Sequence, residues 1–140
     1  MRAMEISLTG LDVEWRRLEV IADNLANVNT LQTPGGGAYQ PLRLISGPAT
    51  RFADQLGTDP SGLNGVAVYG VEPMKTQPRK VREPGNPLAD ADGYVAYPGV
   101  DHSAEMVLMM KTSRAYEADI VAMNAARQMY VKALDMGHSS

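Results

Sequence analysis

Seven apolar residues near the start of the chain, Met4, Leu8, Leu11, Trp15, Leu18, Ala22 and Leu25, follow one another in alternating steps of four and three. This is a heptad seam, which keeps one stripe of an α-helix turned toward a partner helix. A second apolar row, Ile6, Val13 and Val20, recurs every seven residues. At about 100° per residue it lies roughly 170° from the first, on the opposite side of the helix. A surface helix of a globular domain needs only one apolar face. Two faces imply a helix held by its own chain on one side and by something else on the other.

The far end of the chain repeats the pattern. From Asp101 to Met136 a seam runs Met106, Met109, Ser113, Tyr116, Ile120, Met123, Arg127, Tyr130, Leu134, with Ser113 and Arg127 as its polar breaks. Beside it lies a small-residue stripe, Ala115, Ala118, Ala122 and Ala126, continued by Met129, Ala133 and Met136. Small residues admit another helix closely, and Met adapts to irregular surfaces. Asp101 suits the N-cap, Glu105 places negative charge in the first turn, and Gly137 suits a terminator. At 1.5 Å per residue the two helices span roughly 35 and 50 Å.

The first helix should close in Asn24-Leu25-Ala26-Asn27-Val28-Asn29-Thr30, where Asn27 or Asn29 suits the left-handed closing residue. Asn side chains there serve equally as caps or as contacts to a neighbouring chain. Thr33-Pro34-Gly35-Gly36-Gly37 is a break. Strands are expected over Tyr39–Ile45, with Pro41 confining it to an edge or its start, and over Gly65–Val71, with Lys80–Glu83 as the latter's partner. A last short strand falls at Tyr94–Tyr97, and 46–63 reads as loop. The fold class is therefore mainly α with a small irregular β region. Paired long terminal helices (1–30 and 101–140) flank a β-rich outer segment (31–100).

Only 6% of residues are aromatic against 44% hydrophobic, so the core is aliphatic, Met and Ala. A net charge of −3 gives no global attraction to nucleic acid or anionic membrane. Without cysteine there is neither a disulfide framework nor thiolate chemistry. No apolar run approaches the roughly 18 residues of a transmembrane helix. Glu5, Asp12, Glu14, Glu19 and Asp23 interrupt any secretory signal at the N-terminus.

Candidate chemistry dissolves on inspection. His102 sits between Asp101 and Ser103, but sequence neighbours do not converge as a catalytic triad requires. His138 is the third residue from the end. Asp90-Ala91-Asp92-Gly93 begins like a calcium loop, yet its register is incomplete and turn chemistry explains it better. Gly35-Gly36-Gly37 lacks the Gly-Lys-Ser/Thr end of a phosphate loop. Lys75, Arg79, Lys80 and Arg82 form a basic patch broken by Pro78 and balanced by Glu72 and Glu83, which reads as a solvated or interface strand. No catalytic, cofactor-binding or metal site is expected.

Two motifs resemble a known family. Asn24-Leu25-Ala26-Asn27 closing a heptad helix is similar to the motif of the axial rod and hook proteins of the bacterial flagellum. Glu83-Pro84-Gly85-Asn86-Pro87-Leu88-Ala89-Asp90-Ala91-Asp92-Gly93-Tyr94-Val95, then Pro98 and Val100-Asp101, resembles the signature of the proximal rod proteins of the FlgC type. Glu105-Met106, Ser113-Arg114-Ala115-Tyr116-Glu117-Ala118 and Met129 fit the C-terminal helix of that family. Tyr39 arrives after Thr33–Ala38, like the longer connection of FlgC-type proteins, and 30–79 is poorly covered by the resemblance. Pro84, Gly85, Asn86, Pro87, Asp90, Gly93 and Tyr94 are carried over as its signature positions.

The resemblance implies a non-catalytic subunit of the rod, the drive shaft that crosses the periplasm and surrounds the export channel. Its partners would be copies of itself, other rod subunits and the ring or export-gate adaptor at the rod base. It would travel by flagellar type III export without a cleaved signal peptide. The seam Met4, Leu8, Leu11, Trp15, Leu18, Leu25 is expected to meet Met106, Met109, Tyr116, Ile120, Met123, Tyr130, Leu134 within the chain. Ile6, Val13, Val20, Asn24, Asn27, Ala118, Ala122, Ala126 and Met129 are then the candidate contacts to neighbouring subunits. The rival reading is a self-contained coiled-coil adaptor that binds one partner without polymerising.

Overall fold

The computed structural model describes residues 2–50 and 64–138. Helix α1 (Arg2–Ala26) leads through the 27–41 connection to a strand pair, β1 (Leu42–Pro48) and β2 (Val66–Pro73). A second pair follows, β3 (Arg79–Arg82) and β4 (Tyr94–Tyr97), and the chain closes with α2 (His102–His138). Two long terminal helices thus flank a small strand region, as expected from the sequence. The loop expected over 46–63 is a correction in part, because 46–48 belongs to β1; residues 51–63 lie outside the described residues.

Both sheets are two-stranded and antiparallel. β2 pairs with β1, and β3 with β4, so the expected β2–β3 pairing is corrected. In the first sheet Ile45 faces Gly70 and Ser46 faces Val68, which leaves Tyr69 as the extra residue of a bulge. The Tyr69 ring folds back over Gly47, where a Cβ would lie 2.7 Å from its hydroxyl oxygen, and that hydroxyl donates to the Pro48 carbonyl at 2.6 Å. A Gly-Pro pair that reads as a loop is thereby accommodated at a strand end.

The helices pack antiparallel. Trp15 meets Tyr116 with ring centroids 6.1 Å apart, and Gly10 lies against the Asp119 carboxylate. The first sheet covers the other side of α1 through three side-chain ties. Val66 donates its amide to Thr9 Oγ1 at 3.1 Å, Arg17 Nη2 donates to Ser46 Oγ at 2.7 Å, and Asn24 Nδ2 donates to the Leu42 carbonyl at 2.8 Å. Between helix and sheet the core holds Val13, Ile21 and Leu44, while Val95 and Pro98 are buried in the second hairpin region.

The helix ends follow capping chemistry with two departures from expectation. Asp101 caps α2: its Oδ1 accepts the Ala104 amide at 3.0 Å and its carbonyl the Glu105 amide at 3.0 Å. No non-glycine residue has positive φ among the described residues, so neither Asn27 nor Asn29 closes α1 in the left-handed form. Asn27 instead continues the turn, donating both its amide and its side-chain Nδ2 to the Asp23 carbonyl. Gly137 lies inside α2 rather than ending it.

Candidate assembly surface

Asn24 is the joint between the helical pair and the β layer. Its side chain is 1% exposed. Oδ1 accepts the Leu42 amide at 2.9 Å and the Tyr39 hydroxyl at 2.9 Å, while Nδ2 returns a bond to the Leu42 carbonyl. A buried amide that both gives to and takes from one backbone residue imitates a strand neighbour and satisfies β1 where its ladder begins. Burial chiefly, then the charges of Asp23 and Glu105, push the Tyr39 hydroxyl pKa above its usual value. Tyr39 therefore stays a donor.

Within the chain, α1's second face is largely covered. Val13 is 3% exposed and Asn24 less, while Ile6 and Val20 on the same row as Val13 are half-buried. The first sheet of the same chain occupies that face, through Thr9, Arg17 and Asn24. Conversely Leu8 and Trp15 of the heptad seam are 51% and 53% exposed, while Met4, Leu11, Leu18 and Leu25 are half-buried. The α1 row meets α2 on one flank and leaves the other to solvent.

Along α2, Met109, Tyr116, Ile120, Met123 and Ala126 are half-buried against α1, and Met106 is exposed at 42%. Ala118, Ala122 and Met129 are exposed, and Asn27 is half-buried. With Gly10 opposite Asp119, α1 begins opposite about residue 127 of α2, so the last turns of α2 overhang by roughly 15 Å. Residues 127–137 are all exposed, Tyr130 and Leu134 among them. The α2 seam therefore changes role along its length, facing α1 early and solvent late.

Two groups escaped sequence reading. Glu105 is buried at the start of α2, and its Oε2 has no hydrogen-bond partner among the described residues. With Arg17, Asn24, Leu42 and Leu108 it lines a cavity of about 60 Å³. Only its place in the first helical turn was legible, because burial there depends on where β1 lies. Ile21, 2% exposed, belongs to neither of the two apolar rows of α1.

The signature stretch folds as the connection between β3 and β4. Glu83 donates its amide to the Gly93 carbonyl, and Asp90 its amide to the Tyr94 carbonyl. Asp90 Oδ1 accepts the amides of Asp92 (3.0 Å) and Tyr94 (2.8 Å), which is turn chemistry and occupies that oxygen. Asn86 Nδ2 donates to Glu83 Oε2 at 2.9 Å and Tyr97 Oη to Glu83 Oε1 at 2.8 Å. The Asn86 bond first, then Tyr97, holds the Glu83 carboxyl below the usual carboxylate range. Gly93 adopts φ +81°, with Pro84 packed where a Cβ would point. Arg79 stacks 5.3 Å above the Tyr97 ring. Among the described residues no three His, Cys, Asp or Glu side chains gather as metal ligands, and no helix is long and apolar enough to cross a membrane.

A helical pair with a short strand layer, one face sealed by its own sheet and an apolar helix end projecting beyond its partner, is the plan of an assembling subunit. Two family models match the chain: the flagella basal body rod protein over residues 4–31, and the flagellar basal body rod FlgEFG protein C-terminal region over 91–136. Together they define an axial protein of the flagellar basal body. The flagellar basal-body rod protein FlgC of Salmonella typhimurium is 36% identical over 138 residues, spanning 98% of this chain and 97% of the relative. Its counterparts in Borreliella burgdorferi and Bacillus subtilis are 34% and 33% identical, over 94% and 96% of this chain and 93% and 96% of those relatives. The chain belongs to the FlgC family of flagellar basal-body rod proteins. It is a structural rod subunit, not an enzyme, and the self-contained adaptor is not favoured.

Proposed function

We propose that this subunit builds the proximal part of the rod by laying the projecting end of α2 against neighbouring subunits, copies of itself or other rod proteins. The exposed Met129, Tyr130 and Val131 beyond the start of α1 carry this reading. Exposed apolar side chains on a stretch of helix that extends past the start of α1 gain most by burial in an assembly, at about 25 cal/mol per Å². The partly exposed seam at Leu8 and Trp15 supplies a second contact, and Ala118 and Ala122 admit a neighbouring helix closely. The assembled helices surround the export channel and transmit torque from the ring toward the hook. The base of the rod meets the ring or export-gate adaptor, and the subunit arrives through flagellar type III export.

Val131→Asp tests this. The unfolding midpoint of the dilute subunit should stay within about 0.5 kcal/mol of the unaltered protein, as for exposed positions generally. Incorporation into basal bodies and swimming should be lost. Full incorporation of the variant overturns the reading. In the dilute subunit, amides after residue 128 should exchange freely and become protected only in basal bodies.

A further inference from the structure

We propose that Asn64 is a site of spontaneous covalent modification: the fold leaves the Asn64-Gly65 junction open to deamidation, and the isoaspartate formed there loosens the tie between β2 and α1.

The reaction needs two groups that are neighbours in the chain. The main-chain nitrogen of the following residue loses its proton to solvent base, attacks the side-chain carboxamide carbon and closes a five-membered imide. The bond from that carbon to Nδ2 breaks, and the leaving group takes up a proton and departs as ammonia. Water then opens the imide at either carbonyl. The product is aspartate, or isoaspartate when the chain continues through Cβ. The following amide must be free to attack, so a hydrogen bond that holds it blocks the step.

The chain has six asparagines, and the fold shields five. The amides of Leu25 and Ala125, which follow Asn24 and Asn124, lie inside α1 and α2. Val28, after Asn27, donates its amide to the Leu25 carbonyl, and Thr30, after Asn29, to the Asn27 carbonyl. Asn86 precedes Pro87, which has no N–H to give. Asn64 differs on every count. It is exposed, a glycine without a hindering side chain follows it, and the Gly65 amide makes no hydrogen bond among the described residues. Its Nδ2 donates to Thr50 Oγ1 at 3.1 Å, an exposed bond that water replaces at little cost. The comparable junction Asp92-Gly93, whose aspartate isomerises through the same imide, is locked. Gly93 donates its amide to the Asp90 carbonyl at 3.0 Å, and Asp92 and Tyr94 donate theirs to Asp90 Oδ1.

The modification falls where the first sheet is fastened to the helix. Ala49 donates its amide to the Gly65 carbonyl at 3.0 Å, and the next residue, Val66, donates its own to Thr9 Oγ1 on α1 at 3.1 Å. Gly65 lies so close to Thr9 that an added Cβ would collide with its side chain. Isoaspartate inserts one extra carbon into the main chain at this tight approach. The Val66–Thr9 bond is therefore the first to open.

The test ages the purified full-length subunit in mildly alkaline buffer, folded and in urea. Its peptides are mapped by mass spectrometry with fragmentation that separates isoaspartate from aspartate. In the folded protein, conversion is expected at Asn64 ahead of every other asparagine, at close to the rate seen in urea. Isomerisation of Asp92 should be roughly tenfold or more slower folded than in urea, because the loop bonds must open first. Hydrogen exchange of the aged protein should be faster at the Val66 amide and unchanged at Ile21. Asn64→Gln, whose imide would be a larger ring, should keep the fold and remove both the conversion and the change at Val66. Conversion led by another asparagine, an Asn64 rate suppressed by folding as strongly as that of Asp92, or equal ageing of Asn64→Gln overturns the site. Unchanged Val66 exchange in protein converted at Asn64 overturns the loosened tie.

Discussion

The Tyr39 hydroxyl donates to Asn24 Oδ1 across 2.9 Å, inside a joint where the same oxygen also takes the Leu42 amide. Asn24→Ala removes three hydrogen bonds at once and strands the Leu42 amide and carbonyl. A loss of about 3 kcal/mol is expected, since each buried polar group left unpaired costs about 1–3 kcal/mol. Urea unfolding of the dilute subunit reads it as a lower midpoint with unchanged slope.

Tyr39→Phe keeps the ring and deletes one bond, so about 1 kcal/mol should be lost. Its second effect concerns pH. The Tyr39 pKa is raised above 10.0 by burial and by the charges of Asp23 and Glu105, so the folded state holds the phenol proton more tightly than the unfolded chain. The associated stability is present below the unfolded value and is lost as pH rises through the folded one. The unaltered subunit should therefore lose stability on alkaline titration above pH 10, and Tyr39→Phe should lose less.

Glu83 responds in the opposite direction. Its depressed pKa means that stability of the 83–94 loop is present above the ordinary carboxylate value and is lost as pH falls through the folded one. Hydrogen exchange at Asn86 and Leu88 should accelerate on acidification, while amides of Val13 and Ile21 hold. Asn86→Ala should shift that acceleration to higher pH, because the Asn86 bond is the larger cause of the depression.

Gly65→Ala should cost about 2 kcal/mol, read from the thermal midpoint. Gly65 has φ +78°, and an added Cβ would meet the Thr9 hydroxyl that takes the Val66 amide. Backbone strain and the loss of one helix–sheet tie then act together. Thr9→Ala, which removes the obstruction and the tie, separates the two.

The helices, the Tyr94–Tyr97 strand and the Asp101 cap were legible because each depends on local spacing. What lay hidden depended on partners distant in sequence. Two apolar faces on α1 suggested two partners, and both exist, but the partner of the Val13 face is the chain's own sheet. No periodicity in α1 reports where β1 will settle. β2 was read as pairing with Lys80–Glu83, whereas its partner is β1, which extends through Gly47-Pro48 past the Tyr69 bulge. Gly137 reads as a stop, yet α2 continues through it to His138. In the signature stretch, turn chemistry at Asp90 was readable, whereas the role of Asn86 in holding Glu83 was not, since Tyr97 completes it from the next strand.

The ties from Thr9, Arg17 and Asn24 to the first sheet are spread over fifteen residues of α1, a baseline of about 22 Å. A plate fixed at one point swivels; one fixed at three points along its length shears only if all three give way. Rotation of the first sheet against α1 is thus resisted along a line rather than at a single pivot.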